Sequence, residues 1–162
     1  MLLVLWLVIQ SVMHFMSQPR EEFIQNLKLH AEQSERIHLE RYHPNDGDLM
    51  IDSVVIPKAD FLTWVDELPG QSGRLRISNT RCWVPHHQIR FYADTPQASI
   101  GWEPKVEICF SCDEIMGRAR SHIPKDWLQP LRKLFTDKGI PIEPPSGAER
   151  EKRMKEWMSG GE

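Results

Sequence analysis

The chain is expected to fold as an α+β domain, an antiparallel sheet of about five strands with two or three packed helices, because three patterns recur along it. Short runs of alternating apolar and polar residues stand at 37–42, 49–56, 75–77, 89–92 and 105–110. Turn-forming residues separate these runs, and three other stretches carry apolar residues at helical spacing. The 162 residues, 40% hydrophobic and 27% charged, suffice for one buried core. With 20 Lys and Arg against 23 Asp and Glu, the net charge of -3 supplies no field for gathering phosphate backbones, so no nucleic-acid partner is expected. The expected organisation is an apolar segment over 1–16, a single α+β domain over 17–142, and a linker, short polar helix and disordered tail over 143–162.

The first segment holds a continuous apolar run, residues 2–9, far shorter than a membrane span. No Lys or Arg precedes it and no small-residue cleavage site follows it, as a standard export signal would require. Three readings stay open: a degenerate export signal or anchor, a packed N-terminal element, or an over-long reading frame whose true start is Met16. Membrane contact is expected only if residues 2–9 are an anchor. A cytoplasmic location is expected ahead of a periplasmic or exported one.

Ser17 is placed to cap a helix over about residues 19–33, with Pro19 presetting φ and Glu21 and Glu22 in the first turn. Its apolar face is Phe23, Ile24, Leu27 and Ala31. Ile37, Leu39 and Arg41 alternate with polar residues up to Tyr42, His43-Pro44-Asn45-Asp46-Gly47 is dense in turn formers, and residues 49–56 return as a second strand. His43, Asp46, Asp48 and Asp52 lack the regular carboxylate offsets and closing Glu of a calcium loop, so a hairpin turn is the reading there.

Pro57 and Lys58 open a short helix with Phe61, Leu62, Trp64, Val65 and Leu68 on one face, ended by Pro69-Gly70. Leu75 and Ile77 alternate with Arg74, Arg76 and Ser78 as in a half-buried strand. Residues 89–92 and 105–110 give two more strands, with Pro104 at a strand start. Arg118, Arg120 and His122 read as solvated charge leading into a helix that begins near Asp126. Asp126 and Gln129 there stand at capping-box spacing, and Pro130 lies near the first turn. Leu128, Leu131, Leu134 and Phe135 form its apolar stripe, and Gly139 then Pro141 stop it. After an extended linker, Ser146 and Glu149 repeat the capping-box pattern. Met154, Trp157 and Met158 make a narrow stripe on that terminal helix, through which a protein partner around Trp157 is expected to dock.

The candidate chemistry lies in Cys82-x3-His86-His87-x21-Cys109-x2-Cys112, which contains all three cysteines and the adjacent histidine pair. A hairpin of the 89–92 and 105–110 strands, with paired positions summing to about 198, sets Cys112 opposite His86 and Cys109 near Ile89. If the chain bends at Phe110-Ser111, both thiols face the same way. Three cysteines and either His86 or His87 then complete the tetrahedral thiolate and imidazole shell that zinc prefers. The expected role is therefore a small domain without assigned activity whose Cys82, His86 or His87, Cys109 and Cys112 hold zinc structurally, more a binding module than an enzyme.

The alternative is a thiol-disulfide oxidoreductase using Cys109 and Cys112, which Asp113 and Glu114 oppose by disfavouring a thiolate. A disulfide between Cys82 and one of that pair, or a cysteine nucleophile served by His86 or His87, is a further option. The second alternative is an interaction module with no metal, the cysteines filling the core beside Ile108 and Phe110. Trp83, Trp102 and Tyr92 near this segment read as aromatic packing on a small sheet ahead of a pocket lining.

The stretch Cys82-Trp83-Val84-Pro85-His86-His87-Gln88-Ile89-Arg90-Phe91, followed by Glu107-Ile108-Cys109-Phe110-Ser111-Cys112, resembles a segment of uncharacterised small bacterial proteins. Leu131-Arg132-Lys133-Leu134-Phe135 before Gly139-Ile140-Pro141 is similar to their closing helix. The likeness spans residues 82–141 and implies a bacterial origin and a self-contained module, but no reaction. Some members of that group look exported or lipid-anchored; this chain has no cysteine near its apolar start.

Overall fold

Three helices begin directly after a proline: α1 Arg20–Gln33 after Pro19, α2 Lys58–Asp66 after Pro57, and α3 Lys125–Thr136 after Pro124. Each proline is extended, with φ of -57°, -59° and -54°, and its carbonyl accepts the first helical hydrogen bond from Phe23, Phe61 and Leu128. The computed structural model describes residues 18–43, 49–70, 72–78, 85–93, 104–117 and 119–159, so the expected Ser17 cap, the 1–16 segment and the 44–48 turn lie outside the described residues. The expected Asp126–Gln129 capping box does not form. Pro124 occupies the cap position, and Asp126 instead pairs with Arg20 across α1 at 3.1 Å. At the other end of the chain, α4 Gly147–Met158 does begin with a capping box: the Ser146 N–H donates to Glu149 at 2.8 Å and the Glu149 N–H to the Ser146 hydroxyl at 3.3 Å.

The sheet has six strands: β1 Arg36–Tyr42, β2 Met50–Ile56, β3 His87–Tyr92, β4 Lys105–Cys109, β5 Glu114–Met116 and β6 Arg120–His122. Their order is β2-β1-β3-β4-β5-β6 and every neighbouring pair is antiparallel. The fold is therefore α+β as expected, with one strand more than predicted and a different choice of strands. Residues 75–77 do not form a ladder. Leu75 is fully buried in the core, and the segment is tied in by the isolated bridges Pro19–Arg74 and Ile77–Ser121 and by backbone hydrogen bonds to Gln18, Arg120 and His122. The short β5 and β6 take its place, their apolar content being a single buried Ile115.

Because paired residues share a face, the register sorts the sheet into two sides. Ile37, Leu39, Ile56, Ile89, Phe91, Val106, Ile108 and Ile115 point to one side, against Phe23, Leu27, Phe61, Val65, Trp127, Leu131 and Phe135 of the helices, and together form one core. Trp127, absent from the expected stripe, is 1% exposed and anchors α3 together with the fully buried Phe135. Its indole N–H donates to the Pro69 carbonyl at 2.6 Å, which removes the cost of burying a polar tip. The other face carries His38, Glu40, Tyr42, Gln88, Arg90, Tyr92, Lys105, Glu107, Cys109 and Glu114.

The β3–β4 register also corrects an expectation. His87 pairs with Ile108 and Ile89 with Val106, a shift of three residues from the arrangement that set Cys112 opposite His86. The reason is side-chain matching: the observed register puts Ile89 and Val106 together in the core and Gln88 and Glu107 together on the polar face.

Candidate functional site

Cys109 ends β4 and Cys112 closes the turn into β5, with the Cys112 N–H donating to the Cys109 carbonyl at 3.3 Å. Asp113 follows at φ 52°, a left-handed conformation, and Cys109 then pairs with Glu114. Neither cysteine is in a disulfide, and the Ser111 hydroxyl lies 3.2 Å from the Cys109 sulfur and 3.9 Å from that of Cys112. A tight turn followed by a left-handed residue is the form in which C-x-x-C presents two sulfurs to one ion, and the bend expected at Phe110-Ser111 is present. Burial pushes the Cys112 thiol up, aided by its hydrogen bond to Cys109 and the charge of Glu114. The pair joins two strands rather than leading into a helix, so its own turn does not supply the helix N-terminus that usually stabilises a thiolate.

The structure separates the two histidines. His87 is fully buried on the helix side, edge-on to Phe110 at 4.9 Å and to Phe135 at 5.2 Å. Its Nε2 lies 2.8 Å from the Pro141 carbonyl, which can only accept, so Nε2 carries the proton. Burial lowers its pKa to about 4 despite that bond. Cys109, one residue past the Ile108 that pairs with His87, is on the opposite face.

His86 precedes β3. Its carbonyl accepts the Tyr42 N–H at 2.7 Å, so the β1–β3 ladder runs one residue further, and the β3–β4 register carried equally far brings position 86 level with Cys109. His86 is 6% exposed, its Nδ1 is buried without a hydrogen-bond partner among the described residues, and burial lowers its pKa. Cys82, Trp83 and Trp102 lie outside the described residues. Among the described residues no three His, Cys, Asp or Glu side chains converge as a ready metal site.

Two further constellations were not expected from the residue pattern. On the polar face, Glu40 is 1% exposed and accepts from Tyr42 at 2.5 Å and from Tyr92 at 2.9 Å, with Arg90 at 3.3 Å. The Arg90 guanidinium stands over both tyrosine rings, at 5.7 and 5.8 Å. Tyr42 and Tyr92 are both raised, first by burial and then by Glu40. At the end of the helix-covered face, Asp52, Arg41 and His87 form a cross-strand row in register with the core. Arg41 donates to Asp52 at 2.6 Å, to the Glu143 carbonyl at 3.2 Å, and to Glu149. The only sequence signal for this row was that Arg41 falls in phase with Ile37 and Leu39.

The helix layer also holds a groove of about 840 Å³ between α2 and α3, walled by Phe61, Trp64, Pro130, Leu134 and Ile142. Its rim charges are paired, Lys138 with Asp60 and Lys133 with Asp137. Among the described residues no helix is long and apolar enough to cross a membrane. No known protein family matches the chain, and neither a curated protein nor a solved structure does so.

Proposed function

We propose that the chain is a small α+β module whose Cys109–Cys112 turn binds zinc, with Cys82 and His86 completing the shell and the metal serving structure rather than catalysis. The observation that carries this reading is the turn itself, with two reduced cysteines on one β-hairpin and a left-handed residue directly after the second. Of the adjacent histidines, His86 fits better. Each histidine keeps a buried Nδ1 without a hydrogen-bond partner among the described residues, but His86 is level with Cys109, whereas His87 lies on the opposite face with its Nε2–H given to Pro141. The turn joins two strands rather than leading into a helix, so it lacks the helix N-terminus that usually acidifies a redox thiol, which favours this reading over a thiol oxidoreductase.

Cobalt(II) titration of the reduced chain tests it. One equivalent should produce the intense thiolate-to-cobalt absorption of a tetrahedral site. That signal should weaken in Cys109→Ser and Cys112→Ser alike, and His87→Gln should keep it. Absence of thiolate-to-cobalt absorption in the parent chain overturns the proposal.

A further inference from the structure

A buried guanidinium is an expensive way to finish a core face, since its desolvation is repaid only by well-placed partners. Arg41 is 3% exposed, yet it continues the row of Ile37 and Leu39. Asp52, its partner across β1–β2, satisfies Nε. The remaining N–H groups turn outward to acceptors far along the chain, the Glu143 carbonyl and the Glu149 carboxylate. Beside it, His87 gives its Nε2–H to Pro141. Residues 141–149 thus lie across the Arg41–His87 pair as a strap, and the strap supplies the acceptors.

The strap is held unevenly. Ile140 and Pro145 are buried and Ile142 is partly so, but none of the described side chains of α4 is buried. Its polar attachments include Glu149 to Arg41 and Arg153 to the Met50 carbonyl at 3.2 Å. Glu149 is 41% exposed and keeps two donors of its own, the N–H and hydroxyl of Ser146, whether or not it touches Arg41. Helix α4 can therefore swing away at Ser146 with its cap intact. That movement would leave a guanidinium flanked by His86 and His87, with Asp52 as its remaining carboxylate.

We propose that Arg41 is the receptor of an oxyanion-binding site, for a carboxylate or a phosphate group, and that Glu149 is an internal competitor that keeps the site closed. A ligand oxyanion would take the place of the Glu149 carboxylate on Nη2, where a charge-assisted hydrogen bond is strongest away from bulk water. Binding and α4 docking would exclude each other, so the terminal helix would report occupancy.

The test uses the full-length chain and its Glu149→Gln variant, titrated with sodium phosphate and, separately, sodium acetate, at ionic strength held constant with sodium chloride. The readouts are the Arg41 Nε–H resonance and hydrogen exchange of the α4 amides. A saturable shift with either oxyanion is expected, at least tenfold tighter in Glu149→Gln than in the parent, together with loss of α4 protection as the parent binds. Response to phosphate alone assigns a phosphate ligand, and response to acetate alone a carboxylate. Arg41→Lys should abolish the saturable response. Equal affinity in parent and Glu149→Gln, or no saturable shift in either, overturns the proposal, and both chains report whether or not the Arg41 variant folds.

Discussion

The carbonyl of Asp113, a residue at φ 52°, accepts the Ile123 N–H at 2.7 Å, tying the left-handed end of the cysteine turn to the chain that leads into α3. The conformation costs an L-residue about 1–2 kcal/mol, and glycine would adopt it freely.

Asp113→Gly is accordingly expected to change stability by less than about 1 kcal/mol, the relief of strain offsetting the half-exposed ion pair with Arg132 at 3.3 Å. Asp113→Val, β-branched at the same φ, should cost about 2 kcal/mol or more. Urea unfolding of the two variants decides it. Equal losses would mean that the left-handed turn is not a constraint on the fold.

The Glu40 network makes a prediction on the other face of the sheet. Glu40→Gln removes the carboxylate from a half-buried Arg90 and two tyrosine hydroxyls, and should cost about 1–3 kcal/mol, as leaving hydrogen-bonding groups poorly satisfied does. Burial first, and then Glu40, raises Tyr42 and Tyr92 above their ordinary value of 10.0. In the variant, tyrosine ionisation followed by ultraviolet absorbance should therefore begin at lower pH than in the parent. A change in the opposite direction would refute the role of Glu40 in raising the two tyrosines.

Acid should loosen α4 before the core. The Ser146 N–H first, then the Arg41 guanidinium and the Ser146 hydroxyl, hold the Glu149 carboxyl down to about 2 from an ordinary 4.5. A folded pKa below the unfolded one contributes stability that is full above 4.5 and lost as pH falls from there towards 2. Because Glu149 is more than a third exposed, solvent screening keeps this to about 1 kcal/mol or less. Hydrogen exchange between pH 5 and pH 3 should show α4 amides losing protection relative to α3, beyond the intrinsic rate change. In Glu149→Gln that pH dependence should disappear.

The periodicity of Phe23–Ala31, the alternation of Ile37 and Leu39 and the Ser146–Glu149 box were legible because each is set by local spacing, and all three are realised. Strands β5 and β6 were not legible, since three residues such as Glu114-Ile115-Met116 carry too little alternation to stand out. They are strands because β4 offers β5 an edge and β5 in turn offers one to β6. The hairpin register was missed because loop length alone does not determine pairing; core matching of Ile89 with Val106 does. The proximity of Cys109 and Cys112 follows from four residues of sequence, whereas the position of His87 depends on Pro141, far away in the chain. Arg41 and Glu149, equally distant, share that reason for escaping a local reading.

Native mass spectrometry of the reduced full-length chain, purified without added metal and sprayed before and after mild acid, tests the zinc assignment most directly. The account predicts one ion of about 65 Da on the folded chain, displaced by acid as the thiolates and imidazole take up protons, and a lower thermal midpoint once a chelator has removed it. A folded chain at its bare sequence mass, with thermal stability indifferent to chelator, would contradict it.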